Sequence, residues 1–600
     1  MARDLVSGRT VGRAVAALVL LVLVVFTYPG ADLASIAVWL TPRATIGSPS
    51  AEAGALAWLH VEHPAGRTAY IADPQGRAVQ LHGAIPGGMI DFWSGAGSSN
   101  LTPKPFYPID PSAYEGRCPD NSSLVRVPPL CRTDITQMAA FGFNSLRLPI
   151  SWSLLEPARG QFSQTYLARI AQVVGWARAE GMYVIFDMHQ DAYSRYVGRA
   201  SPPPIPGGDT TDLQYDNGAP DWATFTDGFP SEVFGGQREL NPAVLEADSN
   251  FWYNRAGIQD EYIATVAFLT RKFMNDSTVA GYSIFNEPWP GWNLPPGWED
   301  LLLFPFYRRV IDAITGVHDG LPCPTHVYMP APCGYPDLGV RDRNQLFFLD
   351  LGLPREITDF PTHLDLALSS YPNLVVGLHA YTHGYTPDSI FLHQDPDKAS
   401  YPWGGYEQTY ASAEREARSI NAALMVTEFG NDPKWDPLIL ANELIEQEQH
   451  RVGFAFWTWK ENCGDVHSWG MFEGIDCSRS KQLQAQPQSG CLRPERERLL
   501  ARVYPSASAD PNLMFHYDPS TGAFQLQASG QLGDVPTVVV IPVEVTGAVT
   551  VSGAVAGEPA ISQQAHGVRM VTVYPSGGAF AISVAAASLA PLGCDTAPQL

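Results

Sequence analysis

Between about residues 78 and 460, short apolar segments recur, each bounded by turn residues and most followed by helix-like periodicity; no other feature restricts this 600-residue chain so tightly. Eight of them read as strands: "AVQLHGA" from Ala78, "FNSLRLPI" from Phe143, "MYVIFDM" from Met182, "AGYSIFN" from Ala280, "HVYMPAP" from His326, "LVVGLHA" from Leu374, "ALMVTEF" from Ala423 and "GFAFWTW" from Gly453. Runs that are apolar at nearly every position are what a parallel sheet covered on both faces requires. Between the second and third, "SQTYLARIAQVVGWARAEG" sets Tyr166, Leu167, Ile170, Val173, Val174 and Ala177 on one helical stripe, with Gly181 placed to stop the helix. Strand and helix repeated eight times predict a (β/α)8 barrel.

Three regions fall outside that rhythm. Arg3, Arg9 and Arg13 precede the apolar run Ala14 to Tyr28, broken by Pro29 and Gly30, which reads as a signal peptide or an uncleaved signal anchor within residues 1–45. Export is therefore expected, to the medium or the cell surface. Eight cysteines, several close in sequence (Cys118 and Cys131, Cys323 and Cys333, Cys463 and Cys477), agree with a disulfide-permissive compartment, although eight cysteines permit 105 pairings. Residues 190–257 carry "SPPPIPGG", several aspartates and many aromatics (Trp222, Phe225, Phe229, Phe234, Phe251, Trp252, Tyr253) with little periodicity, as expected of a long ordered loop beside a site. After about residue 505 come short alternating segments with turns, which predict a small all-β sandwich. The expected division is a leader at 1–45, a barrel at 46–505 and a sandwich at 506–600.

Composition excludes some functions. With 61 acidic against 38 basic side chains the net charge is -23, which repels a phosphate backbone, so nucleic acid is not an expected partner. No CxxC spacing supports a cysteine-built zinc site. The 45% hydrophobic and 16% charged residues are those of a globular chain.

Barrel active sites are built at the carboxyl ends of the strands, so the residues ending each segment carry the functional information. The second segment contains Arg147; the third ends in "DMHQD" with Asp187 and His189; the fourth in Asn286 and Glu287; the sixth presents His379 and Tyr381, the seventh Glu428, and the eighth Trp457 and Trp459. Two glutamates ending opposed strands are equipped to hydrolyse a glycosidic bond with retention: one attacks the anomeric carbon, and the other protonates the leaving oxygen and later deprotonates water. Mutual repulsion and burial separate their proton affinities. Asn286 is placed to bond a sugar 2-hydroxyl, Tyr381 and Arg147 to orient a carboxylate, and the tryptophans to stack on a pyranose.

The motifs "LRLPISWSLLEP" at 146–157, "DMHQD" at 187–191, "FNEPW" at 285–289, "GLHAY" at 377–381 and "VTEFG" at 426–430 resemble glycoside hydrolase family 5 over roughly residues 78–460. Within it, "DMHQDAYS", "NEPWPGW" and a C-terminal sandwich look most like the endoglycoceramidases, secreted enzymes that cut the β-glycosidic bond between an oligosaccharide and ceramide. The resemblance implies Glu287 as acid/base and Glu428 as nucleophile. It implies Asn286, Asp187, His189, Tyr381 and an eighth-strand tryptophan as sugar contacts. The lysine expected after the first strand has its nearest equivalent in Lys104 of "KPFYP", behind an altered first loop.

Simpler readings stand beside these. Either glutamate alone could cap a helix or pair with arginine, and His189 could be a satisfied core histidine. His379 and His383 have helical zinc spacing, but at a strand end and without HExxH, so no metal or other cofactor is expected. Trp457 and Trp459 share one face of an ideal strand; Trp459 is favoured for the mouth. Three functions follow: a retaining endo-β-glycosidase acting on glycolipids, with possible lipid-surface contact; a retaining β-glucanase or β-glucosidase acting on polysaccharide or small glucosides; and a silent surface carbohydrate-binding protein. A monomer is expected in each case.

Overall fold

The computed structural model describes, in the main, residues 56–90, 109–115, 129–199, 217–231, 238–293, 297–317, 337–352, 366–381, 405–460, 469–473, 491–531 and 535–590. Three short strands open it: β1 (His60–Glu62), β2 (Tyr70–Ala72) and β3 (Ala78–Val79). Eight parallel strands then close into a barrel: β4 (His82–Ala84), β5 (Ser145–Ile150), β6 (Tyr183–Met188), β7 (Val279–Ser283), β8 (Leu346–Asp350), β9 (Leu374–Ala380), β10 (Ala423–Phe429) and β11 (Phe454–Phe456). Within it Leu81, Ile85, Tyr183, Ile185, Leu346, Phe348, Val375, Met425 and Ala455 form one packed cluster.

The helix after β5 spans Gln164–Ala179 and buries the stripe expected of it. Its N-cap Ser163 accepts a hydrogen bond from the Tyr166 amide, and Gly181 follows it at φ 71°. The segment 190–257, expected to be a loop, contains a helix, Pro242–Trp252. Asn241 caps it by accepting from the amides of Ala243 and Val244, with proline in its first turn. Phe251 and Trp252 on this helix pack against Phe285 and Phe306, so they fill core beneath the loop after β7.

Two expected strands differ. "AVQLHGA" serves two sheets: Ala78–Val79 pairs with residues 507–508, while His82–Ala84 enters the barrel. The fifth barrel strand is Leu346–Asp350, not "HVYMPAP" at 326–332, a segment that lies outside the described residues apart from Pro332. The structure chooses "LFFLD" because it pairs with β7 and β9 and turns Leu346, Phe348 and Asp350 inward.

A short pair follows the barrel, β12 (Phe472–Glu473) and β13 (Cys491–Leu492). The sandwich comprises β14 (Tyr504–Ser508), β15 (Met514–Asp518), β16 (Ala523–Gly530), β17 (Thr537–Ile541), β18 (Val549–Val555), β19 (Ala560–Gln563), β20 (Arg569–Val573) and β21 (Pro575–Val584). One sheet has the order β1-β2-β3-β14-β17-β20-β19, the other β15-β16-β21-β18. Val539, Ile541, Val571 and Val573 of the first meet Phe524, Leu526, Phe580 and Ile582 of the second. The division expected at residues 46 and 505 is corrected accordingly: residues 60–79 belong to the sandwich sheet, and both flanks of the barrel segment build it. The expected leader, residues 1–45, lies outside the described residues, as do most cysteines.

Sandwich and barrel are joined by specific polar contacts. Tyr504 donates to the Gly142 carbonyl at 2.8 Å and stacks on His82 with centroids 3.8 Å apart. Burial pushes His82 well below its ordinary value, so the stacked ring is neutral. Buried Glu448, on the helix Ile439–His450, pairs with Arg502, lies 3.0 Å from His516 Nδ1 and accepts from the Tyr517 amide at 3.1 Å. Glu448→Ala would strand a buried guanidinium and an amide. It should cost about 3–5 kcal/mol, read as a lowered denaturant midpoint.

Candidate active site

A strand period of two explains how charged groups reach a packed interior. On β6 the inward row runs Tyr183, Ile185, Asp187; on β8 it runs Leu346, Phe348, Asp350; on β9 it runs Val375, Gly377, His379, ending at Tyr381. Each row begins apolar at the amino end and becomes polar at the mouth. Gly377 leaves room for this change, since a Cβ there would lie 2.7 Å from Asp350 Oδ1 and 2.8 Å from Thr427 Oγ1. On β10 a register irregularity against β9 between Val426 and Glu428 brings Glu428 opposite His379.

Arg147 of β5 occupies the centre, fully buried. It donates to Glu428 Oε2 at 2.7 Å, Asn286 Oδ1 at 2.8 Å, Asp187 Oδ1 at 3.0 Å, Ser283 Oγ at 3.2 Å and Asp350 Oδ2 at 3.3 Å. Burial opposes its charge, but Asp187, Asp350, Glu428 and Glu287 outweigh burial and hold it protonated. Glu428 accepts a second bond from the Tyr381 hydroxyl at 2.5 Å through Oε1. Its carboxyl is pushed above the ordinary value by burial; Glu287 adds to the rise, and His379, Arg147 and His189 oppose it.

Glu287 follows β7 with φ 41°, in the left-handed region. Its backbone N–H reaches Asp350 Oδ2 at 3.3 Å, and its carbonyl accepts from Gln190 Nε2 at 3.1 Å. Its Oε1 lies 3.0 Å from His379 Nδ1, and its side chain is 15% exposed. One side-chain atom each of Glu287, His379 and Glu428 lie within 4.8 Å of one another. Such a trio could also ligate a cation; Arg147 and Tyr381 each donate to one oxygen of Glu428. His383, the other half of the expected histidine pair, lies outside the described residues, as does Lys104.

The remaining residues separate into those open to the mouth and those behind it. Asp187, expected to contact sugar, is fully buried, and both its oxygens are engaged, by Arg147 and by His189 Nδ1 at 2.7 Å. It supports the site from behind. His189 lies parallel to Trp457 with centroids 5.3 Å apart. Burial opposes its charge, but Asp187 and Asp191 raise it to about 10, so it is a cation at neutral pH. Asn286 accepts from Arg147 through Oδ1 and donates to the Gln190 carbonyl at 2.8 Å, leaving one amide N–H.

The two tryptophans part company. Strand β11 ends at Phe456, so its alternation does not run on through Trp459. Trp457 is the one beside the site, against His189. Trp459 is corrected to a core residue: it is fully buried, donates to Asp134 Oδ1 at 3.0 Å and packs edge-on against Phe141 and Phe472.

Sequence reasoning misses three members. Asp350 is hidden by the misplaced fifth strand. Asp191, 3.4 Å from His189 Nε2 and 14% exposed, and Gln190, which bridges the carbonyls of Asn286 and Glu287, stand in the quoted "DMHQD". The polar density of that motif is the available signal.

Residues 128–463 match the profile of the cellulases, glycosyl hydrolase family 5. Endoglycoceramidase I of Rhodococcus hoagii (strain 103S) is 24% identical over 419 residues, covering 67% of this chain and 70% of that protein. The crystal structure of an endogalactoceramidase superposes with TM-score 0.63 at 26% identity, covering 88% of this chain and 100% of that one. Endo-glycoceramidase II from Rhodococcus sp., in complex with ganglioside GM3, shares the fold with TM-score 0.58 at 22% identity, covering 87% and 100%. A barrel with two close glutamates at its mouth and a family match over more than half its length together assign this chain to glycoside hydrolase family 5.

Proposed function

We propose that the protein is a retaining endo-β-glycosidase that hydrolyses the bond between glycan and ceramide in glycosphingolipids. The observation that carries this reading is the proximity of the Glu287 and Glu428 side-chain atoms, within 4.8 Å, which suits a retaining pair held about 5 to 5.5 Å apart. Glu428 attacks the anomeric carbon as the bond to the aglycone oxygen breaks, and the proton of Glu287 passes to that oxygen. Glu287, now ionised, then takes a proton from water, whose oxygen displaces Glu428 from the sugar.

The surroundings favour this division of labour. Arg147 and Tyr381 donate to the two oxygens of Glu428 and stabilise its anionic form, as a nucleophile requires. Glu287 is the more exposed of the two and reaches the mouth, where a leaving group departs.

A lipid aglycone is supported by the named relatives and by one surface feature. Phe229 and Trp292, 39% and 45% exposed, pack together with centroids 5.7 Å apart, and Trp292 lies in the loop that begins at Glu287. Exposed aromatics beside a leaving-group site suit a partner with an acyl tail or a bilayer surface. Export, read from the arginine-flanked apolar N-terminus, would bring the enzyme to such a surface. The family profile, that of cellulases, favours a second reading as a β-glucanase.

Incubation with lactosylceramide and with soluble β-glucans separates these. Release of intact oligosaccharide and ceramide is expected, and cleavage of glucan with the lipid untouched overturns the ceramide reading. Glu428→Gln should abolish turnover of every substrate. Glu287→Gln should slow the glycolipid by about 10²–10⁴-fold and dinitrophenyl glycosides far less, because an activated leaving group needs no proton. Equal losses would contradict the roles.

The pH profile carries a sign. Attack needs ionised Glu428, so activity rises with pH through its titration. Because burial and Glu287 raise that carboxyl, the acidic limb of kcat/KM should lie above the ordinary glutamate value of about 4.3. In Glu287→Gln, read with an activated glycoside, the limb should move down.

A further inference from the structure

Asp350 is a charged group at the centre of the site with no place in the two-glutamate scheme. It closes β8, is fully buried, and turns a single oxygen toward three other elements, accepting from two donors and lying in ion-pair range of an imidazole. Its Oδ2 lies 3.3 Å from the Glu287 backbone N, 3.3 Å from Arg147 Nη2 and 3.3 Å from His379 Nε2. His379 Nδ1, on the far side of the ring, lies 3.0 Å from Glu287 Oε1. We propose that Asp350 is a positioning residue for Glu287, which it holds by two arms: the peptide N–H directly and the carboxylate through the His379 imidazole.

The physical case rests on what Glu287 would do without it. A glutamate at φ 41° persists only where its surroundings over-determine the conformation. Gln190 fixes the carbonyl of this residue; Asp350 fixes its N–H. On the side-chain arm, Asp350 orients the ring so that Nδ1 faces Oε1, which leaves Oε2 for the oxygen of the leaving group. The fold makes space for this carboxylate at Gly377, and its backbone is tied by the Tyr307 hydroxyl, which donates to the Asp350 carbonyl at 2.7 Å. Burial opposes the charge of Asp350, but His379 and Arg147 outweigh burial and keep it ionised, below the ordinary carboxylate value.

The inference rests on the reading of Glu287 as acid/base, and its test keeps the two apart. In Asp350→Asn, kcat/KM for lactosylceramide should fall by about 10²-fold, the scale of a misplaced reacting group, while a dinitrophenyl lactoside loses no more than a few-fold. Combined with Glu287→Gln, the change should add almost nothing to the glycolipid loss, since the group it positions is gone. Equal losses on both substrates would mean that Asp350 serves Arg147 and Glu428 instead, and unchanged kinetics would mean it positions nothing; either overturns the proposal. Should Asp350→Asn fail to fold, His379→Asn cuts the side-chain arm alone and should give the same selectivity for leaving group in weaker form; its absence is equally fatal. If Glu287→Gln itself lacks that selectivity, the acid/base reading fails first. If Glu287→Gln has it and Asp350→Asn does not, only the role of Asp350 falls.

Discussion

Everything at the mouth of this barrel is arranged around one buried cation. Arg147 gathers Asp187, Asn286, Asp350 and Glu428, side chains ending four other strands or the loops that follow them. An isolated guanidinium in such a place would be prohibitively costly to desolvate, and so would the carboxylates; together they compensate one another. The consequence is geometric. Five elements far apart in sequence are fixed to a common point, so the distance between Glu287 and Glu428 is set by the fold rather than by side-chain flexibility.

Around that point the protein separates two glutamates by their partners. Glu428 meets Arg147 and the Tyr381 hydroxyl, with little exposure; Glu287 meets an imidazole and opens toward solvent. Burial and the nearby Glu287 carboxylate both raise Glu428, while His379, Arg147 and His189 oppose the rise. What distinguishes the two glutamates is which form each neighbour stabilises. The cationic His189, paired with Asp187 and Asp191 beneath Trp457, adds positive charge on the side of Glu428, which offsets the acidity of a site holding several aspartates.

Much of this is legible in the sequence because barrel strands are apolar throughout and end in chemistry. Seven segments hold their place, though the first is shared between two sheets, and every motif that names Arg147, Asn286, Glu287, His379, Tyr381 and Glu428 leads to a residue at the mouth. The failures have particular causes. "HVYMPAP" and "LFFLD" are both apolar, and only pairing with β7 and β9, which no local pattern encodes, chooses between them. With the wrong strand goes Asp350. Trp459 is favoured only by extending an alternation past the residue where the strand stops. Helix Pro242–Trp252 is lost in a loop despite its Asn-Pro start, because its apolar residues face a core made by the loop after β7, which a local pattern does not reveal. Strands β1 to β3 are too short to register alone and exist as strands because β14 supplies their edge.

The two ends of the barrel therefore do different work. At the amino end apolar layers pack, and the sandwich, tied in through Tyr504 and Glu448, braces neighbouring helices and turns. At the carboxyl end the same inward rows become charged, and their positions are fixed by contacts among themselves. Beyond the rows lies the loop from Glu287 to Trp292, lifted on Trp252 and Ser249 of the helix beneath it. Trp252 donates to the Trp289 carbonyl at 2.7 Å and the Ser249 hydroxyl accepts from the Trp292 amide at 2.8 Å, so the exposed aromatic edge is held by the core and not merely appended to it. A catalytic centre this tightly constrained tolerates little change, whereas the aromatic rim can vary without disturbing it. A change at that rim would leave the buried charges as they are.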